Sequence, residues 1–478
     1  MNIDINLKIF SFTWKFSIPR QWIQYGVIAA VIVLAMGAAY WGSTLVMVAL
    51  IALPIGMVGV YFFFRQPNLV YIFILMGGMF IPFAGPGGVN ASVLGILLLI
   101  FIWVLDMFVV KREFKFIYSR PIRPLLYFMA ISVVAFAVGQ ISWFPFANQA
   151  PLDAQIGGFA IYIMLPLVML VTPNLIKDMF WLKLVFWAFI GLSMIYVVAR
   201  TLQIPIGDML FTNGYVANSM LWTWMSALLV GQIIYNHELG WRMRGMLVVC
   251  VALVFYVAMV QQNDWKSGWV PPAVAALALI GLRFKKLTIV AIPFAIAVGI
   301  FLAQDLISTD QYSWGTRVDA WLVVLDISRV SPIIGLGFAN YYFYAKVFTI
   351  RGYHIQFNSH SQFVDIIAQT GILGLLCFFW ILFEVGRLAW DLSLRLKDGF
   401  ARGYAYGVLA GIVGCLMAAF LVDWVLPFTY NIGMNGVRAS ILPWIFFGGL
   451  ITIEQIFLAQ PKPASSNIRG VAASMNNI

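Results

Sequence analysis

Charge is scarce in this chain. Asp, Glu, Lys and Arg make up 10% of its 478 residues, and 63% are hydrophobic. A soluble globular domain carries about 25% charged residues. With a mean hydropathy of +0.93, the composition excludes a soluble globular protein and implies a polytopic membrane protein. Cysteine is scarce too. Cys250, Cys377 and Cys415 all fall inside apolar segments, which argues against a loop disulfide or zinc framework and suits small core residues. Histidine occurs three times, at His237, His354 and His360. The first 22 residues lack a small-residue cleavage site. On a helical wheel Asp4, Lys8, Ser11 and Lys15 share a face, which suits a helix on the cytoplasmic leaflet or a frayed end.

What is present is a series of apolar runs. A spanning helix needs about 20 mostly apolar residues. Candidate spans are 23–41, 44–64, 69–83, 91–110, 124–140, 156–172, 180–199, 215–235, 246–262, 269–282, 287–303, 361–386, 404–424 and 438–458. The expected fold is therefore an all-α transmembrane bundle of about 12–14 spans. Segment 1–22 is an interfacial piece, 23–458 one membrane domain and 459–478 a tail. The prolines at 271 and 272 suit the first turn of span 269–282.

Net charge is +11. In a membrane protein that reports topology rather than nucleic-acid binding, because Lys and Arg collect in cytoplasmic loops. With the N-terminus inside, all but seven of the 29 basic residues fall on the inner side. The seven are Arg200, Lys266, Arg317, Arg329, Lys346, Arg351 and Arg438. Both termini are expected in the cytoplasm. Glu384 and Asp106 lie near cytoplasmic helix ends. No chain of carboxylates crosses the bilayer and no inverted repeat of broken helices stands out, so ion-coupled transport is disfavoured.

One connection is long, residues 304–360, on the outer side. Loops of this length are usually functional or disordered, and this one is not low-complexity. Val318, Trp321, Leu322 and Leu325 recur at helical spacing, with Thr316 and Asp319 as a possible capping box. The run "SPIIGLGFANYYFYAKVF" follows, a glycine turn and then aromatics expected at headgroup level. Cations on the outer side run against the charge bias. Arg317, Lys266, Arg351 and Arg200 are the candidates for holding an anion such as phosphate, the arginines as bidentate forks. The outer acids, Asp423 among them, show no paired DxD and no His/Cys cluster, so no metal site and no cofactor is expected.

The loop closes on "NSHSQFVDIIAQTGILGLL", Asn358 to Leu376. On a helical wheel Gly371 and Gly374 fall on the face that starts at His360, where small residues would let another helix approach. Gln362, Asp365 and Gln369 form a polar stripe that must face protein or a wet cavity. A neutral imidazole at His360 could take a proton from an attacking hydroxyl, or it could be an interfacial residue bonded to backbone.

These pieces resemble the O-antigen ligase and polymerase superfamily of bacterial envelope glycan enzymes. His360, Ser361, Gly371 and Gly374 match its H-[NSQ]-x9-G-x-x-G motif. Arg317, Trp321, Pro332, Gly335 and Gly337 are similar to its upstream Arg-x-x-x-Trp and Pro-x-x-Gly-x-Gly block. The resemblance implies a metal-independent, GT-C-like glycosyltransferase of the bacterial inner membrane. Its donor would be a polyprenyl-diphosphate-linked glycan and its acceptor a glycan or lipid-core hydroxyl. It implies His360 as the catalytic residue and Arg317 as a diphosphate ligand. Lys266, in "WKSG", is the nearest match to a second family arginine and lacks the fork. Ligase and polymerase remain equally legible, and a lipid-linked-glycan flippase is the alternative from another class.

Overall fold

The computed structural model describes residues 3–9, 12–18, 61–113, 115–205, 215–284 and 311–459, with positions 25, 33, 36, 56, 59 and 286. Span 287–303, most of 23–41 and 44–64, and nearly all of the tail lie outside them. The chain packs as two units, Met1–Pro67 and Asn68–Ile478.

In the first unit, β1 (Ile3–Ile9) and β2 (Phe12–Ile18) form an antiparallel hairpin rather than an interfacial helix or a frayed end. The reason is legible in "IDINLKI" and "FTWKFSI". Apolar and polar residues alternate strictly, the signature of a strand and not of a 3.6-residue repeat. Register pairs Ile5 with Phe16 and Leu7 with Trp14, and Asn6 with Lys15.

The second unit is helical. Its elements are α1 (Leu69–Phe80), α2 (Ala91–Leu105, continued by a π-turn to Lys111), α3 (Ile122–Val138), α4 (Leu152–Leu175) and α5 (Met179–Thr201). There follow α6 (Ser219–Tyr235), α7 (Trp241–Phe255, continued by a π-turn to Gln261) and α8 (Lys266–Arg283). Then come α9 (Gln311–Ile327), α10 (Asn340–Tyr344), α11 (Gln362–Arg395), α12 (Phe400–Leu421) and α13 (Gly433–Ala459). Every candidate span that falls on described residues is a helix. Among the described residues, seven helices are long and apolar enough to cross a membrane: α2, α4, α5, α7, α11, α12 and α13. α1, α3 and α6 are shorter apolar helices. The protein is thus an all-α polytopic bundle. α8 starts three residues earlier than expected, which puts Pro271 and Pro272 past its first turn. The Pro272 carbonyl accepts the Ser226 hydroxyl of α6 at 3.0 Å.

α6 is buried almost throughout, with Trp222 and Trp224 fully inside. Arg438 of α13 is buried as well, and its guanidinium donates to the carbonyls of Gly78, Ile81, Pro82 and Phe83. These are carbonyls that the end of α1 leaves without helical partners. This cation, one of the seven expected on the outer side, is held in a structural role.

The feature that shapes the site is a break in α11. Gly371 sits at φ 70°, ψ −173°, which only glycine adopts readily. The interruption frees backbone groups on both sides, and the segment after α9 fills them. Leu336 and Gly337 N–H donate to the carbonyls of Ala368 and Gln369 at 2.8 and 3.1 Å. Ile372 and Leu373 N–H donate to Pro332 and Ile333 at 2.9 and 3.3 Å. A Cβ on Gly335 would stand 2.6 Å from the Gly371 nitrogen, and one on Gly371 would stand 2.1 Å from the Ile333 oxygen. The Pro-x-x-Gly-x-Gly block and Gly371 are therefore two halves of one joint. Gly371 does not sit on a continuous helical face beneath His360, because the helix stops there and His360 precedes it.

The joint also corrects the expectation for the aromatic run. Phe338, Tyr341 and Tyr344 are fully buried against protein rather than at headgroup level. Asn340 pins the segment, donating to Gly139 and Leu336 carbonyls at 2.9 and 2.8 Å and accepting Ala150 N–H at 3.0 Å. α9 is helical as expected, but it already runs from Gln311, so Thr316 does not cap it. Its buried face is Ala320, Val324 and Ile327, while Leu322 is 62% exposed. Gln362, Asp365 and Gln369 do face the interior.

Candidate functional site

The turn Asn358–Ser361 enters α11 and carries His360 in the left-handed region, φ 49°. A non-glycine residue there needs support from its surroundings. Asn358 Oδ1 accepts the His360 N–H at 2.9 Å, and Ser359 Oγ accepts the Ser361 N–H at 3.1 Å. Trp321 of α9 donates its indole N–H to the Ser359 carbonyl at 2.7 Å. The Trp of the upstream motif thus braces the turn that holds the histidine.

Facing this turn is Asp423, fully buried in the connection between α12 and α13. Its Oδ2 accepts Phe428 N–H at 3.1 Å and the Asn358 amide at 3.4 Å, and its Oδ1 accepts the Asn431 amide at 2.7 Å. Burial pushes the Asp423 carboxyl above the usual carboxylate range, and the neighbouring imidazole draws it back. For His360 burial dominates and lowers its pKa below 6.5, Asp423 opposes that shift, and the Arg317 cation adds to it. An imidazole with its pKa below 6.5 is largely neutral at pH 7, and the Asp423 carboxyl stands where it offsets charge arriving on the ring. A neutral imidazole so placed can take up a proton.

Sequence reasoning counted Asp423 among the outer acids and gave it no role. The signal available was a lone acid in "FLVDWVLPF", at the helix end that returns to the loop. Its partnership with a histidine 63 residues earlier is tertiary.

Arg317 stands in the first half of α9 with its guanidinium toward this pair. Its Nη1 donates to the Leu421 carbonyl at the end of α12, 3.1 Å away. Arg351 is held differently. Its Nε meets Asp319 Oδ2 at 2.7 Å, and the guanidinium lies against Gly315. It joins Arg317 on α9 through that ion pair. Lys266 opens α8 directly after Trp265, whose ring packs edge-on against Trp424 at 4.9 Å, next to Asp423. Arg200 ends α5, where its carbonyl accepts the Gln261 amide at 3.1 Å. It lines a cleft of about 390 Å³ with Gln203, Ile204, Pro205 and Gln261. The structure thus brings His360, Arg317 and Asp423 together, ties Arg351 to α9 through Asp319, and leaves Lys266 and Arg200 at the same end of the bundle. His354, exposed and 3.0 Å from the Lys346 carbonyl, takes no part in the pair. His237 pairs with Asp398 at 3.1 Å, at the opposite end.

A comparison with protein families matches residues 240–379 to O-antigen ligase. That segment is similar to the O-antigen ligase family. It runs from the start of α7 to the middle of α11 and contains Lys266, Arg317, Arg351 and His360, whereas Arg200 and Asp423 lie outside it. A search of the curated proteins found no match. The O-antigen ligase match over this segment and the multi-pass bundle together support a ligase-like envelope glycosyltransferase in a membrane.

Proposed function

We propose that this protein moves a glycan from polyprenyl diphosphate to an acceptor hydroxyl at the outer face of the bacterial cytoplasmic membrane, with both termini in the cytoplasm. The observation that carries this reading is the half-buried His360 beside the buried Asp423, with Arg317 next to them. His360 takes the proton from the acceptor hydroxyl. The oxygen attacks the anomeric carbon from the face opposite the diphosphate. The carbon–oxygen bond to phosphate breaks, polyprenyl diphosphate leaves, and the anomeric configuration inverts. Asp423 stabilises the imidazolium that forms, as an orienting carboxylate does in other base-assisted attacks. Arg317, with Lys266, Arg351 and Arg200 at the same end of the bundle, neutralises charge that grows on the departing diphosphate. Side-chain cations do this work here, without a metal or cofactor in the reading.

The orientation rests on charge. The end opposite His360 carries Arg120, Arg242, Arg244, Arg387, Arg395 and Arg402, which fits the cytoplasmic side. The test is transfer by purified protein from a defined polyprenyl-diphosphate glycan to candidate acceptors. His360→Ala should fold and lose transfer. A folded variant with full activity refutes the base assignment. Product size separates the acceptors: a single transfer indicates ligation onto a lipid core, and a ladder of repeat units indicates polymerisation.

A further inference from the structure

Asp365 lies one turn into α11, five residues after His360. It is fully buried, and the proposed chemistry does not use it. Its Oδ1 accepts two hydroxyl protons, from Tyr341 of α10 and from Ser359 Oγ at 2.7 Å. Its Oδ2 is buried without a hydrogen-bond partner. A buried carboxyl group with one oxygen unmatched is costly, and a fold retains it where it serves an arrangement.

The arrangement is the turn at His360. Ser359 Oγ, which donates to Asp365, is the atom that accepts the Ser361 N–H. The residues on either side of His360 are thereby tied to one oxygen, and that oxygen is oriented by Asp365. Tyr341, the other donor to Asp365, also reaches Asn358 Oδ1 at 3.4 Å. That amide oxygen accepts the His360 N–H, and the same amide group's nitrogen approaches Asp423. Two routes, one through Ser359 and one through Tyr341 and Asn358, thus run from Asp365 to the backbone that carries the imidazole. Tyr341 is itself fixed by the joint at Gly371 and by stacking on Phe428, 4.8 Å between ring centres. Short side chains that bond to nearby backbone set such turns.

We propose that Asp365 is a positioning residue: through Ser359 and Tyr341 it holds the left-handed turn at His360 and so sets the imidazole against Asp423. It touches no substrate. The claim rests on His360 being the base only for its effect on rate; its effect on the imidazole stands by itself.

Because the chain has three histidines, ring-labelled histidine gives a readout free of activity. His360 is assigned by its disappearance in His360→Gln. In Asp365→Ala the His360 ring signals and titration midpoint should move, while those of His237 and His354 stay. Asp365→Asn keeps an acceptor oxygen for Tyr341 and Ser359 and should stay near wild type. Ser359→Ala and Tyr341→Phe each remove one route and should give intermediate shifts, which keeps the test open if Asp365→Ala fails to fold. On the transfer assay Asp365→Ala should lower kcat by about 100-fold, the scale for a misplaced group, with KM for the donor little changed. A folded Asp365→Ala with unmoved His360 signals overturns the proposal. So does a loss of rate that tracks only the folded fraction. If the His360 signals move while His360→Gln keeps transfer activity, the positioning stands and the base assignment falls.

Discussion

Gly371→Ala tests the joint in α11 most directly. Two penalties combine at that position. The backbone at φ 70°, ψ −173° belongs to glycine alone, and a residue with a Cβ held there costs about 1–3 kcal/mol. The added methyl would also stand 2.1 Å from the Ile333 oxygen and 2.3 Å from its carbon, so the inserted segment must move. Four backbone hydrogen bonds hold that segment, and each contributes about 1 kcal/mol net. The combined loss is on the order of 5 kcal/mol, a large part of the stability of a typical domain. Gly352→Ala is the matched control. Its φ of 85° carries a conformational cost, but nothing lies within 4 Å of the added Cβ, so about 1–2 kcal/mol is expected. Thermal unfolding in detergent ranks the two, and transfer activity follows, because the same segment carries Tyr341 toward His360. A Gly371→Ala protein that melts and works like wild type would refute the joint. A Gly352→Ala loss as large as that of Gly371→Ala would show that φ alone, and not the insertion, sets the cost.

Further expectations concern the site and its supports. The rate should fall as pH drops below 6.5, through the depressed His360 midpoint. Asp423→Asn removes the charge that favours the imidazolium and should move this acidic limb to lower pH, whereas Arg317→Gln removes a repelling charge and should move it to higher pH. A pH–rate profile in which both variants shift the same way contradicts the electrostatics. Arg317→Glu should weaken donor use far more than Arg351→Ala, since Arg351 is already engaged by Asp319; donor titrations compare them. Arg438→Met leaves the α1 carbonyls without donors and should cost about 3 kcal/mol, read as a lower Tm with no change in donor affinity per folded molecule.

Much of the membrane domain was legible before any coordinates. Apolar run length marked the helices because a bilayer leaves the backbone no other partner, so spans that fall on described residues recur as helices. The hairpin at the N-terminus was also legible, in the alternation of Ile3, Ile5, Leu7 and Ile9 with polar neighbours, but only at the strand period. α9 shows where patterns mislead. Leu322 and Leu325 suit an apolar stripe by spacing, yet the packed face is Ala320, Val324 and Ile327. In a lipid-adjacent helix hydrophobicity no longer distinguishes the protein-facing side.

By itself the sequence determined the class of the protein, its helix order, its long loop and its candidate histidine and cations. Those depend on composition and local spacing, which a single chain displays. Tertiary structure alone decided what the motifs are for. Gly335, Gly337 and Gly371 read as turns and small packing surfaces until the segment from Pro332 is found threaded into the broken α11. Asp423 read as one acid among several until the end of α12 returns it to His360. Hydrogen bonds between residues 30 to 65 positions apart, and the burial that shifts a histidine, belong to the folded arrangement and leave no period in the chain.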